Sequence, residues 1–82
     1  MTSLLSIRTL LLRELIGQAL RAERQALSMT LRDVSGAAGI SYGYLSEIET
    51  GRKEPSSEVL QAVLDSLGIS MRDLLVEVLE VC

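Results

Sequence analysis

The chain has 82 residues, of which 48% are hydrophobic, and its net charge is −3. This length predicts one domain with a small core, and the core must be aliphatic because Phe and Trp are absent. The chain has no histidine and a single cysteine, Cys82, so it offers no metal-ligand cluster, no internal disulfide and little with which to build a catalytic site. These features argue against an enzyme and indicate no cofactor and no metal.

Charge is divided unevenly along the sequence. Residues 1–53 carry seven basic and five acidic side chains, a net charge of +2, whereas residues 54–82 carry one basic and six acidic side chains, a net charge of −5. The first part could therefore meet a polyanion while the second faces away from it. A solvated surface of mixed charge would give a similar pattern.

Residues 1–9 are predicted to form an N-terminal arm, followed by one domain over residues 10–82. The opening stretch MTSLLSIRTLLLRELI is apolar, but Arg8 and Arg13 interrupt it and no small-residue cleavage site follows, so it does not fit a signal peptide. It is also too short and too charged to span a bilayer. We expect a cytoplasmic protein that does not enter a membrane.

Apolar residues recur at helical spacing in five segments, and no stretch alternates for long enough to predict a strand. The first helix is predicted from about Leu10 to Ala26. The other four have predicted N-caps at Thr30, Ser41, Ser56 and Ser70. Predicted ends of the second to fourth helices are Gly39, Gly51 and Gly68. The pattern indicates an all-α fold.

The second and third helices, at about residues 30–51, fit the helix-turn-helix pattern. Ser35 supplies a small side chain where the helices would cross, and Gly39 permits a sharp turn. The apolar anchors have the matching spacing: Val34, Ile40, Leu45 and Ile48.

The first turn of the third helix contains Tyr42-Gly43-Tyr44, which includes the only aromatic residues of the chain. A glycine inside a helix costs about 0.5–1 kcal/mol relative to alanine. We interpret Gly43 as allowing this helix to approach a ligand closely. The tyrosines would offer hydroxyls to phosphates or base edges and rings to thymine methyls. The alternative is that both rings only cover the second helix.

With these motifs in place, residues 20–75 resemble the five-helix DNA-binding domain of phage repressors and of the wider Xre regulators. The stretch GYLSEIETGRKEPSSEVL is especially similar to the regulators of Clp protease genes in actinobacteria. The resemblance implies a phage-repressor-like (lambda-repressor-like) fold. It also implies a bacterial-type transcriptional regulator that binds double-stranded DNA as a homodimer on an inverted repeat, with helix 41–50 in the major groove. No small-molecule effector is evident.

The resemblance also implies roles for individual residues. Positions that face the bases are Ser41, Tyr42, Gly43, Ser46 and Glu47. Positions that contact phosphates are Tyr44, Thr50, Arg52 and Lys53. A partly buried salt bridge is implied between Arg24 and Glu49. Where the family usually has a phosphate-contacting glutamine this chain has Leu31, and Arg32 is the candidate to replace that contact.

Several of these roles have an alternative. Glu47 can accept from a cytosine N4 amine or remain a solvated glutamate at the edge of the interface. Arg52 and Lys53 would suit phosphates, but cations also favour the C-terminal end of a helix in any protein.

The last predicted helix, residues 70–82, has an apolar sector wider than one stripe. Its members are Met71, Leu74, Leu75, Val78, Leu79 and Cys82. We expect this helix to form a dimer interface, and the alternative is that the N-terminal leucines of the same chain cover it. Two other functions stay open: an antitoxin-type or other protein-binding module of the same fold, and a controller protein of a restriction–modification system.

Overall fold

The computed structural model describes residues 11–81; the predicted arm, Leu10 and Cys82 lie outside the described residues. Residues 11–81 form five α-helices and no strand. The helices are α1 (Leu12–Ala26), α2 (Leu31–Ala38), α3 (Tyr42–Glu49), α4 (Ser57–Leu67) and α5 (Met71–Val81). The predicted all-α fold of five helices is confirmed.

The helices begin where their capping residues predicted. The Asp33 amide donates to Thr30 Oγ1 at 3.0 Å, and the Thr30 amide donates to the Asp33 carboxylate at 2.8 Å. These bonds satisfy two otherwise unpaired donors, and the bond from the Thr30 backbone lowers the pKa of Asp33. Ser70 and Asp73 repeat the arrangement at the start of α5.

The turn between α2 and α3 depends on Gly39, which ends α2 with φ of +72°. A residue with a Cβ rarely adopts this conformation. The next amide, that of Ile40, returns to the Ser35 carbonyl at 3.0 Å. The small side chain of Ser35 is buried.

Aliphatic side chains from all five helices form the core. Helix α1 packs against both α3 and α5, and α2 packs against α3 and α4. The core members are Ala19, Leu20, Val34, Leu45, Ile48, Val63, Leu64, Leu67, Leu74 and Val78. Fully burying one such leucine or isoleucine contributes about 1.5–3 kcal/mol. Helix α1 therefore joins the helix-turn-helix to the C-terminal helix.

The residues expected to form an interface on α5 differ in their exposure. Leu74 is 1% exposed and Val78 is 8% exposed, because both pack into the core of their own chain. The surface that these two side chains could offer to a partner chain is therefore small. Met71, Leu75 and Leu79 remain 42%, 54% and 74% exposed. Their i, i+4 spacing places them in one row beside the buried line of the helix.

Candidate nucleic-acid interface

Helix α3 is held by one apolar side and leaves the other side accessible. Leu45 and Ile48 are both 0% exposed and belong to the core. Ser41 begins the helix, since its Oγ accepts a hydrogen bond from the Tyr44 amide at 3.1 Å. The outward surface of this eight-residue helix is therefore fixed by packing beneath it and by a cap at its start.

The residues expected to face bases lie at the start of α3 and along this outward surface. Ser41, Tyr42 and Gly43 are exposed, and Ser46 and Glu47 are half-buried. Gly43, Ser46 and Glu47 are three and four positions apart, so they lie in one row. The structure thus brings together a face of small and polar groups that lies opposite the core.

Gly43 has no packing partner that would exclude a side chain. A Cβ built at this position has no other heavy atom within 4 Å, apart from its chain neighbours and the helix's own backbone. Its φ is not among the positive values of the described chain. Neither internal crowding nor backbone conformation requires a glycine here.

The two tyrosines have different surroundings. Tyr42 is 48% exposed, and the Arg32 guanidinium lies over its ring at 5.2 Å from the ring centroid. This cation–π contact joins α2 to the start of α3. Tyr44 is half-buried and packs against the core. Both rings therefore have a structural role, and Tyr42 also keeps an open surface.

The turn after α3 carries two exposed cations, Arg52 and Lys53. Their amides both donate to the Glu47 carbonyl, at 2.9 Å and 3.2 Å. The Thr50 hydroxyl donates to the Ser46 carbonyl at 3.0 Å. These bonds satisfy carbonyls at the end of the helix, so the backbone that carries the two cations is fixed.

A charged pair ties the end of α3 to α1. Arg24 Nε lies 2.8 Å from Glu49 Oε2, and Arg24 Nη2 lies 3.0 Å from Glu49 Oε1. A third bond runs from Arg24 Nη1 to the Met29 carbonyl at 2.9 Å. The hydrogen bond to Glu49 raises the pKa of Arg24 further. Glu49 is buried, so its carboxylate does not belong to the outward face.

Two further residues of α1 hold the same end of α3, and the sequence did not indicate either. A Cβ on Gly17 would lie 2.3 Å from the Ile48 carbonyl oxygen and 2.7 Å from that of Glu49. Arg13 Nε donates to the Gly51 carbonyl at 3.0 Å. Both contacts join residues more than thirty positions apart, so no local pattern could reveal them. A glycine inside an amphipathic helix was the one available signal.

Residues 11–81 show no cavity and no group of three or more acidic or thiol side chains that could hold a metal ion. None of the helices described above is both long and apolar enough to cross a membrane.

Comparison with known proteins identifies the family. The profile of the helix-turn-helix family matches residues 20–74. The transcriptional regulator ClgR of Mycobacterium tuberculosis is 49% identical over 67 residues, which cover 82% of this chain and 60% of the relative. The chain thus spans only about 60% of the length of that curated relative.

Solved structures agree with this result. The crystal structure of the clp gene regulator ClgR from C. glutamicum superposes with a TM-score of 0.85 and 48% identity, covering 89% of this chain and 95% of that one. The restriction–modification controller protein C.AhdI from Aeromonas hydrophila has a TM-score of 0.73 and 24% identity, covering 76% of this chain and 94% of that one. The second likeness shows the fold alone. The predicted phage-repressor-like fold and the predicted family are confirmed: the chain belongs to the Xre-like helix-turn-helix family of transcriptional regulators.

Proposed function

We propose that this chain binds double-stranded DNA in the bacterial cytoplasm and regulates transcription from an inverted-repeat operator, which it occupies as a homodimer with α3 in the major groove. The proposed function is binding, without catalysis. The observation that carries it is the outward face of α3. Gly43 on this face is free of internal packing, although the opposite side of the same helix packs into the core.

The outward face suits the edges of base pairs. The groups proposed to face the bases are Ser41, Tyr42, Gly43, Ser46 and Glu47. Hydroxyls serve as donors or acceptors to several base edges, and a carboxylate accepts from the cytosine N4 amine. With no Cβ at Gly43, the backbone of the first turn can come closest to the groove.

Cations and hydroxyls around this face suit the phosphates. The proposed contacts are Arg32, Tyr44, Thr50, Arg52 and Lys53. Their positions at the start of α2, the start of α3 and the turn after α3 would place phosphate contacts on both sides of the groove. Such contacts supply affinity that does not depend on sequence and that falls with salt.

The second copy would pack on the row formed by Met71, Leu75 and Leu79. These exposed apolar side chains belong to α5, which packs against α1, and α1 also packs against α3. Dimerisation through α5 would therefore fix the separation of the two copies of α3. Two recognition helices read successive major grooves when they lie about 34–36 Å apart.

Selection from a random pool of double-stranded oligonucleotides tests DNA binding, symmetry and spacing together. We expect enrichment of an inverted repeat whose half-sites are centred about one helical turn apart. Enrichment of an asymmetric single site would contradict the dimeric arrangement. Absence of any salt-sensitive retention would contradict DNA binding itself and would favour a protein-binding module.

Leu79→Glu tests the dimer separately. A charge in the exposed row should dissociate the dimer without unfolding the chain, because Leu79 is 74% exposed in the single chain. Sedimentation measures the mass, and circular dichroism measures the helix content. Leu27→Glu is the matched control, since Leu27 is an exposed leucine outside α5. A dimer that survives Leu79→Glu, or dissociates equally with Leu27→Glu, would contradict the assignment.

A further inference from the structure

Arg13 joins the first turn of α1 to the turn that carries the two exposed cations. Its Nε donates to the Gly51 carbonyl at 3.0 Å, in a partly buried contact across 38 residues of chain. We propose that Arg13 is a positioning residue, which fixes the turn so that Arg52 and Lys53 can contact the DNA phosphates. This inference rests on the proposed function, since it specifies how one part of the interface is aligned.

Arg13 binds a backbone carbonyl of a turn whose amides are paired elsewhere. The Gly51 amide donates to the Ile48 carbonyl at 3.1 Å, and the amides of Arg52 and Lys53 donate to the Glu47 carbonyl. The amides of the turn are thus paired with α3 itself. The Gly51 carbonyl instead accepts from Arg13, so this bond decides how the turn is oriented relative to α1.

Gly51 is also restricted by its backbone conformation and by its close packing against α1. It is buried, its φ is +77°, and a Cβ would lie 2.8 Å from the Glu14 side chain and 3.0 Å from Glu14 Cα. The turn therefore lies directly against the first turn of α1. A small shift of that helix would therefore move the attached cations relative to the rest of α3.

Three contacts from one side of α1 secure the end of α3. Arg13, Gly17 and Arg24 are spaced by four and seven positions, so they share one face of the helix. Gly17 meets the carbonyls of Ile48 and Glu49, and Arg24 pairs with the Glu49 side chain. Arg13 is the member that binds the turn carrying the cations, and its positive charge also lies at the C-terminal end of α3, where a cation is favourable.

A double-mutant cycle on DNA affinity tests the proposal with full-length protein and the selected operator. Lys53→Ala should lower the slope of log affinity against log salt by about one unit. Arg13→Met should lower it by a similar amount, because the cations lose their alignment. In the Arg13→Met background, Lys53→Ala should then have little further effect on affinity. The loss of affinity caused by Lys53→Ala should thus be about threefold or more smaller in that background than in wild type. Arg21→Met is the control, since it removes one exposed cation of α1 away from the turn.

Independent effects of Arg13→Met and Lys53→Ala would overturn the proposal, because they would indicate separate phosphate contacts. Equal losses from Arg13→Met and Arg21→Met would overturn it too, because they would indicate charge alone. If Arg13→Met unfolds, the same cycle is measured with Arg13→Lys, which keeps the charge but not the Nε donor. If wild type binds DNA and a folded Arg13 variant keeps the wild-type salt slope, only this inference is refuted. Absence of DNA binding by wild type refutes the proposed function and this inference with it.

Amide hydrogen exchange of the free protein supplies a readout that does not need DNA. Loss of the Arg13 bond should speed exchange at the amides of Arg52 and Lys53 about tenfold or more, with α2 and α4 unchanged. Unchanged exchange in that turn would overturn the positioning role.

Discussion

At the scale of single residues, the outward face of α3 contains side chains whose size and charge internal packing does not require. Gly43 could accept a Cβ without a clash, and Glu47 is only half-buried. Glu49, two positions further on, is buried and held by Arg24. These two glutamates therefore differ in surroundings: Glu47 is accessible and is proposed for recognition, whereas Glu49 is buried and paired.

Gly43→Ala separates recognition from folding. Because the site is open, alanine should raise the free energy of unfolding by about 0.5–1 kcal/mol through its better helix propensity. Affinity for the selected operator should fall, because the added methyl meets the floor of the groove. Urea unfolding and fluorescence anisotropy measure the two effects. Gly36→Ala, at an equally open glycine of α2, is the control that should gain stability only. Unchanged operator affinity in Gly43→Ala would refute the close approach.

Glu49→Ala should destabilise the domain instead of altering base preference. Removing one partner of a buried pair leaves the other charge uncompensated, at a cost of about 3–5 kcal/mol. The double variant Arg24→Leu with Glu49→Leu should recover much of that loss, since no buried charge remains. Thermal unfolding measures both changes. A Glu49→Ala protein of wild-type stability with a changed operator would contradict this assignment.

At the scale of elements, α1 is the support of the interface, because it packs against α3 on one side and α5 on another. At Gly17, the α1 backbone lies so close to the end of α3 that no side chain fits between them. A second contact, between Glu23 of α1 and Glu77 of α5, brings two acidic groups together.

Gly17→Ala should destabilise the protein although alanine is the better helix former. The new Cβ would lie 2.3 Å from the Ile48 carbonyl oxygen, a backbone atom that yields only if the helices separate. Overpacking of this kind costs about 1–3 kcal/mol. Gly36→Ala is again the matched control, since the same substitution should be stabilising there. A stability gain in both variants, measured by urea unfolding, would show that α1 and α3 are not closely packed.

Glu23 makes the α1–α5 junction sensitive to pH. Burial raises its pKa above the ordinary 4.5, and Glu77 raises it further through repulsion and a hydrogen bond, with smaller effects from Asp73 and Glu80. The folded state therefore binds more protons than the unfolded state just above pH 4.5, so this residue lowers stability as pH rises through its raised pKa.

Glu23→Gln should accordingly stabilise the protein at neutral pH, and the gain should shrink as pH falls towards about 4.5. Urea unfolding of wild type and variant at several pH values measures the difference. Glu54→Gln, an exposed glutamate of the loop before α4, is the control. A gain that does not depend on pH would contradict the effect of burial and repulsion on Glu23.

At the scale of the whole molecule, local patterns sufficed for the fold because four of the five helices begin at a capping residue that is visible in the sequence. Thr30, Ser41, Ser56 and Ser70 begin helices through bonds within three residues of themselves, which a sequence displays directly. The motif also placed the residues of the proposed site, since those expected to face bases lie at the start of α3 and on its outward face.

The supporting contacts were not predictable by the same means. Arg13 and Gly17 contact residues far along the chain, and helical spacing specifies a face but not its partner. The same ambiguity applies to α5. Its wide apolar sector contains Leu74 and Val78, which α1 covers, beside an exposed row, and spacing alone does not divide the two.

The outward face of α3 is proposed to read the major groove, and base analogues in the selected operator probe this contact without changing the protein. Replacing guanine by its 7-deaza analogue, or thymine by uracil, removes groups found only in the major groove, whereas replacing guanine by inosine removes the minor-groove amine. We predict that affinity, measured by fluorescence anisotropy, falls for major-groove analogues within the half-sites and is retained with inosine. Loss of affinity with inosine together with full tolerance of the 7-deaza and uracil substitutions would contradict the account.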